Sequence, residues 1–419
     1  MRKIVYYGLA LVALLATAGA VLVALNLRGE DKLPDSPAAF TSTPAQVERG
    51  RYLALAGNCA GCHTTRGGAA YAGGVGIETP FGTVFSSNLT PHESAGIGNW
   101  SAAHFWRAMH NGRSKDGRFL YPAFPYPSFT HVTREDSDAI HAYLRTVPVS
   151  PKPQVPNQLR FPYDTQLALM AWRALSFKPG GFVADTAKTP EWNRGAYLVQ
   201  GLGHCIACHG SRNVLGATEE KLGLSGGLIP VQNWYAPSLT SAREVGVQDW
   251  EVQHIVALLK IGSSPRGSVM GPMADVVYRS TQDLSDADLQ AMAVFLKQLP
   301  GQADAATAAT TSPSARRDAR VMERGARIYD QRCAYCHGDA GQGAEGAYPP
   351  LAGNRAVLMA STANLVQVLR HGGYLPATAG NPRPYGMPPF GQVLDDNGIA
   401  DVLTYIRASW GNDAPAVAR

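Results

Sequence analysis

The apolar positions form one continuous block and then a recurring helical rhythm. Behind Arg2 and Lys3, nearly every side chain from Ile4 to Leu27 is apolar. At about 1.5 Å of rise per residue, a helix of that run exceeds the roughly 30 Å hydrocarbon core of a bilayer. Residues 1–28 therefore read as a membrane anchor or signal segment. Ala16-Thr17-Ala18 offers a small-residue cleavage site, but the run stays apolar through Leu25 beyond it. That favours a retained anchor, its positive end on the cytoplasmic side. Glu30 to Pro44 is polar and proline-containing, the composition of a tether.

Past the tether the apolar spacing predicts blocks that open and close with a helix. The first block, residues 45–147, opens with a helix over 46–56 and closes with one over 135–145. Thr133 with Asp136 three residues on marks the start of the closing helix, as a capping pair. A connector over 148–188 begins rich in proline (Pro148, Pro151, Pro153, Pro156, Pro162) and carries an apolar helix over 164–177, expected to pack between domains. The second block covers 189–300. An Ala/Thr/Ser-rich linker over 301–318 follows, then a third block over 319–411, its closing helix over 398–409. The last nine residues read as a loose tail.

The blocks repeat one another. Glu48-Arg-Gly-Arg-Tyr52 answers to Glu191-Trp-Asn-Arg-Gly-Ala-Tyr197 and to Glu323-Arg-Gly-Ala-Arg-Ile-Tyr329. A constant offset carries Pro80 to Pro230, Asn88-Leu-Thr90 to Ser238-Leu-Thr240, Trp100 to Trp250 and Gly112 to Gly262. Repetition at this length is duplication of one structural unit. A chain of 419 residues has room for two to four domains. The net charge of +5 comes without a basic run, which argues against nucleic acid as a partner.

Chemistry enters with the cysteines. All 6 of them fall in three copies of Cys-x-x-Cys-His: Cys59, Cys62 and His63; Cys205, Cys208 and His209; Cys333, Cys336 and His337. Two thiols one helical turn apart share a face and can both form thioethers to a porphyrin, while the adjacent histidine meets the iron. A zinc ribbon would pair two Cys-x-x-Cys motifs with no fixed histidine, and a redox dithiol would sit in a βαβ context. The reading is three covalently bound haem c groups in a mostly α fold of three consecutive class I-type cytochrome c domains. Attachment of haem c in bacteria occurs outside the inner membrane, which places the bulk of the chain on the periplasmic side.

A methionine opposite the histidine would raise the haem potential, since soft sulfur favours ferrous iron. Met387, in Gly386-Met-Pro-Pro-Phe-Gly391, and Met273, in Gly271-Pro-Met-Ala274, lie in Gly/Pro-rich loops before a closing helix. Met270 is a weaker alternative to Met273. The first block has no methionine in this slot, which reads Tyr121-Pro-Ala-Phe-Pro-Tyr126; the repeat offset points to Ala123 and the Phe-Pro match to Phe124. Met109 aligns with Leu259 and Leu369 and reads as a core position. His131, Met170 or an open site remain for the first haem, which is therefore expected to differ electronically from the other two.

The three haem motifs, Thr79-Pro-Phe-Gly-Thr83, Ser87-Asn-Leu-Thr90, Gly201-Leu-Gly-His-Cys205, Gly271-Pro-Met-Ala274 and Met387-Pro-Pro-Phe390 together resemble the triheme cytochrome c subunit of bacterial membrane-bound dehydrogenases. The resemblance spans nearly the whole chain. It implies a catalytic dehydrogenase subunit as partner (quinoprotein, molybdenum or flavin type) and delivery of electrons to ubiquinone. Many members of that family carry methionine where this chain has Phe124. No nucleophile-and-base pair, phosphate loop or further metal cluster marks a substrate site, so the reading is an electron-transfer subunit with no catalytic residues of its own. The alternatives are a haem enzyme acting at an open first haem, peroxidase-like, and a cytochrome subunit of a terminal oxidase.

Overall fold

A computed structural model describes residues 2–33, 41–219, 223–301 and 318–418. The middle of the expected tether and nearly all of the 301–318 linker lie outside the described residues. Helices dominate, and the strands among the described residues are at most four residues long. The chain divides into two compact units, the first made of residues 1–184, 200–204 and 213–218, the second of 185–199, 205–212 and 219–419.

The first unit begins with helix α1 (Arg2–Asn26), which carries its apolar side chains outward, Ile4 76% and Leu15 62% exposed. The end of α1 and the start of the tether are docked rather than free. Asn26 donates to the Met170 carbonyl and accepts from Arg173 Nε, 3.0 and 3.1 Å. Asn111 donates to the Gly29 carbonyl, and Glu30 lies 3.0 Å from Arg113 and 3.6 Å from Arg107. Helix α2 (Pro44–Ala56) is capped by Thr43, whose hydroxyl accepts from the Gln46 N–H. The short α3 (Cys59–His63) follows, then an antiparallel hairpin of β1 (Gly76–Thr79) and β2 (Gly82–Phe85), with β3 (Gln158–Leu159) added at its edge. Helix α4 (Ala102–Asn111) ends at Gly112, α5 (Tyr126–Phe129) is a single turn, and α6 (Arg134–Leu144) closes the block. Thr133 caps α6, its hydroxyl accepting from the Asp136 N–H, as its sequence position predicts. Helix α7 (Gln166–Ser176), the apolar helix of the connector, packs on the end of α1 and sets Arg173 over Phe119 and Tyr126. Leu169 and Arg173 are its buried residues, while Leu167 and Leu175 stay exposed.

The second unit opens with most of α8 (Pro190–Gln200), then α9 (Ile206–His209), the hairpin β4 (Gly227–Ile229) and β5 (Trp234–Ala236), and α10 (Val252–Ile261). A tight pair, β6 (Ser263–Ser264) and β7 (Gly267–Ser268), leads to α11 (Pro272–Arg279) and α12 (Asp286–Lys297). The remainder is α13 (Ala319–Arg332), α14 (Ala334–His337), α15 (Arg355–Leu358), α16 (Ala363–His371), the pair β8 (Gly373–Tyr374) and β9 (Gly386–Met387), and α17 (Asp396–Ile406).

One helix crossing occurs three times. In each, an Arg-Gly step of the opening helix meets the closing helix. A Cβ on Gly50 would stand 1.8 Å from the Ala139 carbonyl oxygen, one on Gly195 1.9 Å from that of Ala291, and one on Gly325 2.4 Å from that of Asp401. Only a hydrogen fits there, so glycine sets how closely the helices cross. The preceding arginine ion-pairs with the same closing helix: Arg49 with Asp136 at 2.5 Å, Arg194 with Asp288 at 2.8 Å and Arg324 with Asp401 at 2.5 Å. Burial finishes each crossing, with Leu53 and Ile140 in the first, Leu198 and Leu289 in the second, Tyr329 and Leu403 in the third.

The chain end corrects an expectation. Residues 411–418 are tied to α17 rather than loose: Asn412 donates to the carbonyls of Leu351 and Ile406, Arg407 donates to that of Pro415, and Ala414 is buried. The buried guanidinium of Arg407 is satisfied by the Pro415 carbonyl together with those of Val357 and Met359.

Candidate haem sites

Each Cys-x-x-Cys-His stretch folds as one helical turn directly after an opening helix. Cys208 and His209 donate their N–H groups to the Cys205 carbonyl at 3.2 and 2.9 Å, and Cys336 and His337 to that of Cys333 at 3.1 and 2.9 Å. The first copy makes the turn α3. This brings both sulfurs and the imidazole of a copy to one side, as thioether attachment to a single porphyrin requires. Burial, with the second thiol close by, pushes Cys59 and Cys205 up to about 12 and Cys333 up to about 11. A buried thiol held protonated is a poor redox nucleophile. Among the described residues no three His, Cys, Asp or Glu side chains converge as a metal site would need.

The three histidines share a second feature. His63 Nδ1 lies 2.7 Å from the Ser87 carbonyl, His209 Nδ1 2.8 Å from that of Pro237, and His337 Nδ1 3.0 Å from that of Pro349. A carbonyl only accepts, so each Nδ1 carries the hydrogen and each Nε2 presents a lone pair. Fixing ring and tautomer through the far nitrogen is how proteins aim a metal-ligating imidazole. Burial lowers the pKa of all three rings against the opposing pull of those carbonyls, which keeps them neutral and ready to ligate.

The loop that delivers the carbonyl is built alike each time. The His63, His209 and His337 carbonyls accept from Gly73, Gly226 and Gly343, and Leu89, Leu239 and Leu351 then donate to Tyr71, Leu224 and Gly341. In the first two copies a β-hairpin is spliced between these bonds, β1–β2 and β4–β5; in the third the loop returns without one. In the first two, Thr90 and Thr240 seal the turn, their N–H groups donating to Asn88 Oδ1 and Ser238 Oγ. The clamping carbonyl comes from the residue just before each of these turns. The repeated Asn/Ser-Leu-Thr signature was thus the available sequence signal for Ser87 and Pro237; Pro349 had none.

On the methionine side, Met387 lies in β9 directly opposite Gly373. A Cβ on the neighbouring Gly372, at φ +69°, would meet the Met387 carbonyl at 2.5 Å. Met273 sits in the first turn of α11, behind Gly271, whose φ of +54° and position against the Trp234 ring exclude a side chain. Met270 lies against Gly373, where a Cβ would stand 3.0 Å from its Cε. Met109, 4% exposed, is in the core like Leu259 and Leu369.

Comparison with known proteins follows the same lines. Residues 47–148 match the family model described as cytochrome c, and residues 320–406 that described as cytochrome c oxidase, cbb3-type, subunit III. The chain is 40% identical over 398 residues to the alcohol dehydrogenase (quinone), cytochrome c subunit of Gluconacetobacter polyoxogenes, covering 90% of this chain and 84% of that one. The chain belongs to the cytochrome c subunits of bacterial dehydrogenases. Within that family it is also similar to the gluconate 2-dehydrogenase cytochrome c subunit of Pantoea cypripedii (36% identical; 89% of this chain, 87% of the relative). The fructose dehydrogenase cytochrome subunit of Gluconobacter japonicus is 33% identical, with 94% and 84% covered. As a dehydrogenase cytochrome c subunit it carries covalently bound haem c and transfers electrons from a dehydrogenase. The donor set fits that group: paired thiols, and an imidazole pre-set to offer Nε2. Haem supplies the one-electron chemistry, and the chain supplies ligation, burial and spacing.

Proposed function

We propose that this chain is a triheme electron relay without substrate chemistry of its own. It would take electrons from a membrane-bound dehydrogenase that oxidises an alcohol, aldehyde or sugar acid and pass them to ubiquinone at the periplasmic face of the inner membrane. Cys59/Cys62, Cys205/Cys208 and Cys333/Cys336 hold the three porphyrins; His63, His209 and His337 bind the irons, with Met273 and Met387 as the sixth ligands of the second and third.

The observation that carries this reading is the imidazole-to-carbonyl clamp, made three times with the same atoms at 2.7, 2.8 and 3.0 Å. A motif that arose by accident would not bring a carbonyl to the far nitrogen of its histidine each time. The docked end of α1 supports a resident anchor, because Asn26 and Glu30 complete the surroundings of Arg173, Arg107 and Arg113 in the folded protein. The likeness of residues 320–406 to an oxidase subunit covers that stretch alone, whereas the relatives aligned along 89–94% of the chain are dehydrogenase subunits.

A pyridine haemochrome assay on the detergent-purified chain is expected to give three haem c per polypeptide. Two or fewer would sink the triheme reading. Extraction from native membranes should co-purify a dehydrogenase, and that complex should reduce a soluble ubiquinone analogue with the dehydrogenase's substrate. Co-purification with oxygen-reducing subunits instead would favour the oxidase alternative.

A further inference from the structure

We infer that the first haem site has no protein ligand opposite His63, and that its iron binds small neutral diatomic molecules, carbon monoxide or nitric oxide, beneath a cover of aromatic rings led by Phe124. This rests on the haem assignment above and extends it to a ligand-binding site.

The argument is one of register. In the second repeat α10 ends at Gly262, φ +78°, whose carbonyl accepts from the Val269 N–H at 2.9 Å. The fourth residue after Val269 is Met273. In the first repeat α4 ends at Gly112, φ +59°, whose carbonyl accepts from the Leu120 N–H at 2.8 Å. The fourth residue after Leu120 is Phe124. The first loop is one residue longer before its return bond, so a constant offset from Met273 falls on Ala123. The hydrogen bonds align Met273 with Phe124.

Phe124 has no lone pair to give. Its ring is half-buried, 5.4 Å from the Phe129 ring and 6.5 Å from that of Tyr126. Phe129 is 4% exposed, so the phenyl pair is anchored from behind.

The two substitutes the sequence offers belong to other surroundings. His131 lies near enough to His110 to act on its charge; His110 stacks on Trp106 at 4.4 Å, and Trp106 donates to Asp31 of the tether. Met170 gives its carbonyl to Asn26, and the helix bearing it turns Gln166 and Arg173 toward Phe119. The His131 ring thus neighbours His110, and the Met170 backbone lies against the end of α1, whereas the ring contacts of Phe124 are with Tyr126 and Phe129.

The polarity and access of a distal pocket decide what a haem binds. Phenyl rings offer no hydrogen-bond donor, which favours carbon monoxide and nitric oxide over ligands that need a bond to a developing negative charge.

The test uses the full-length holoprotein in detergent, with haem counted first. A count below three would defeat the triheme reading itself, whatever the coordination. With three haems present, the ferric protein is expected to show one high-spin haem by electron paramagnetic resonance. The dithionite-reduced protein is expected to take up one carbon monoxide per chain. Phe124→Met should supply the missing thioether, removing the high-spin signal and the uptake together. Three low-spin haems and no uptake in the wild type would overturn the inference. So would uptake unchanged by Phe124→Met, or a high-spin haem that appears only in His131→Ala or Met170→Leu, either of which would reveal a hidden ligand.

Discussion

Replacing Gly50 by alanine is the sharpest test of the threefold helix crossing. The added methyl would stand 1.8 Å from the Ala139 carbonyl oxygen, 2.5 Å from its carbon and 2.9 Å from Tyr143 Cβ. Even a close carbon–oxygen contact needs roughly 3.3 Å, so α2 and α6 would have to part by more than about 1 Å. An overpacked methyl costs about 1–3 kcal/mol when side chains can give way. Here the obstacle is backbone. Alanine returns up to about 1 kcal/mol of helix propensity, which, taken from the upper end of that range, leaves a net loss of about 2 kcal/mol. For a unit of roughly 200 residues, each kcal/mol moves the melting point by roughly 2–4 °C, so a drop of about 4–8 °C is expected. The assay is thermal melting of the haem-loaded protein, followed by far-ultraviolet circular dichroism and Soret absorbance. Gly195→Ala, at 1.9 Å, should behave alike, and Gly325→Ala, at 2.4 Å, should be milder. Gly181→Ala, with nothing within 4 Å, serves as the control. A Gly50→Ala melt that overlays the wild type, or one matched by the control, would refute the packing argument.

Other expectations are more local. Met273→Leu should leave one additional haem high-spin while Met270→Leu leaves coordination unchanged; the reverse result would transfer the ligand role to Met270. Glu30→Ala strips a carboxylate from two largely buried guanidiniums, side chains 11% and 18% exposed, and should cost about 3 kcal/mol. Its signature would be a lower melting point and faster proteolysis of the tether, and unchanged cleavage would count against the docking. His141, fully buried on α6, has its pKa lowered to about 4, mainly by burial and then by the charge of Arg145. The fold prefers the neutral ring, so its contribution is complete above the unfolded value near 6.5 and is lost as pH falls toward 4. Urea titrations should show stability falling by on the order of 3 kcal/mol across that window, at about 1.36 kcal/mol per unit. His141→Phe should flatten the slope, and an unaltered slope would assign the acid sensitivity elsewhere.

What the residues revealed in advance was whatever depends on short-range spacing. A helical turn at Cys59–His63, a helix begun by Thr133 and an apolar helix from residue 2 all follow from neighbours a few positions apart. The carbonyls of Ser87, Pro237 and Pro349 were invisible because every residue has one, and only the folded loop selects which meets the imidazole. Met270 was ranked below Met273 from its loop alone; that it lies against Gly373, about a hundred positions away, is a contact spacing could not reveal. Phe124 was blurred by a single-residue difference in loop length, which a constant offset cannot register. The chain end looked loose because Asn412 and Ala414 are unremarkable in sequence. Their part shows only in the fold, where Asn412 donates to the Leu351 and Ile406 carbonyls and the Ala414 N–H donates to that of Arg407.

The docking of residues 26–31 bears on how this cytochrome exchanges charge. For a chain held in the bilayer by α1, it removes the slack that a flexible leash would provide, so the first unit rides at a set height above the lipid and cannot sweep a volume in search of a donor. Encounter then becomes a two-dimensional matter of drift and rotation within the membrane plane. Cutting and regrafting that junction with a glycine-rich spacer would change the rate of electron exchange without touching a single haem.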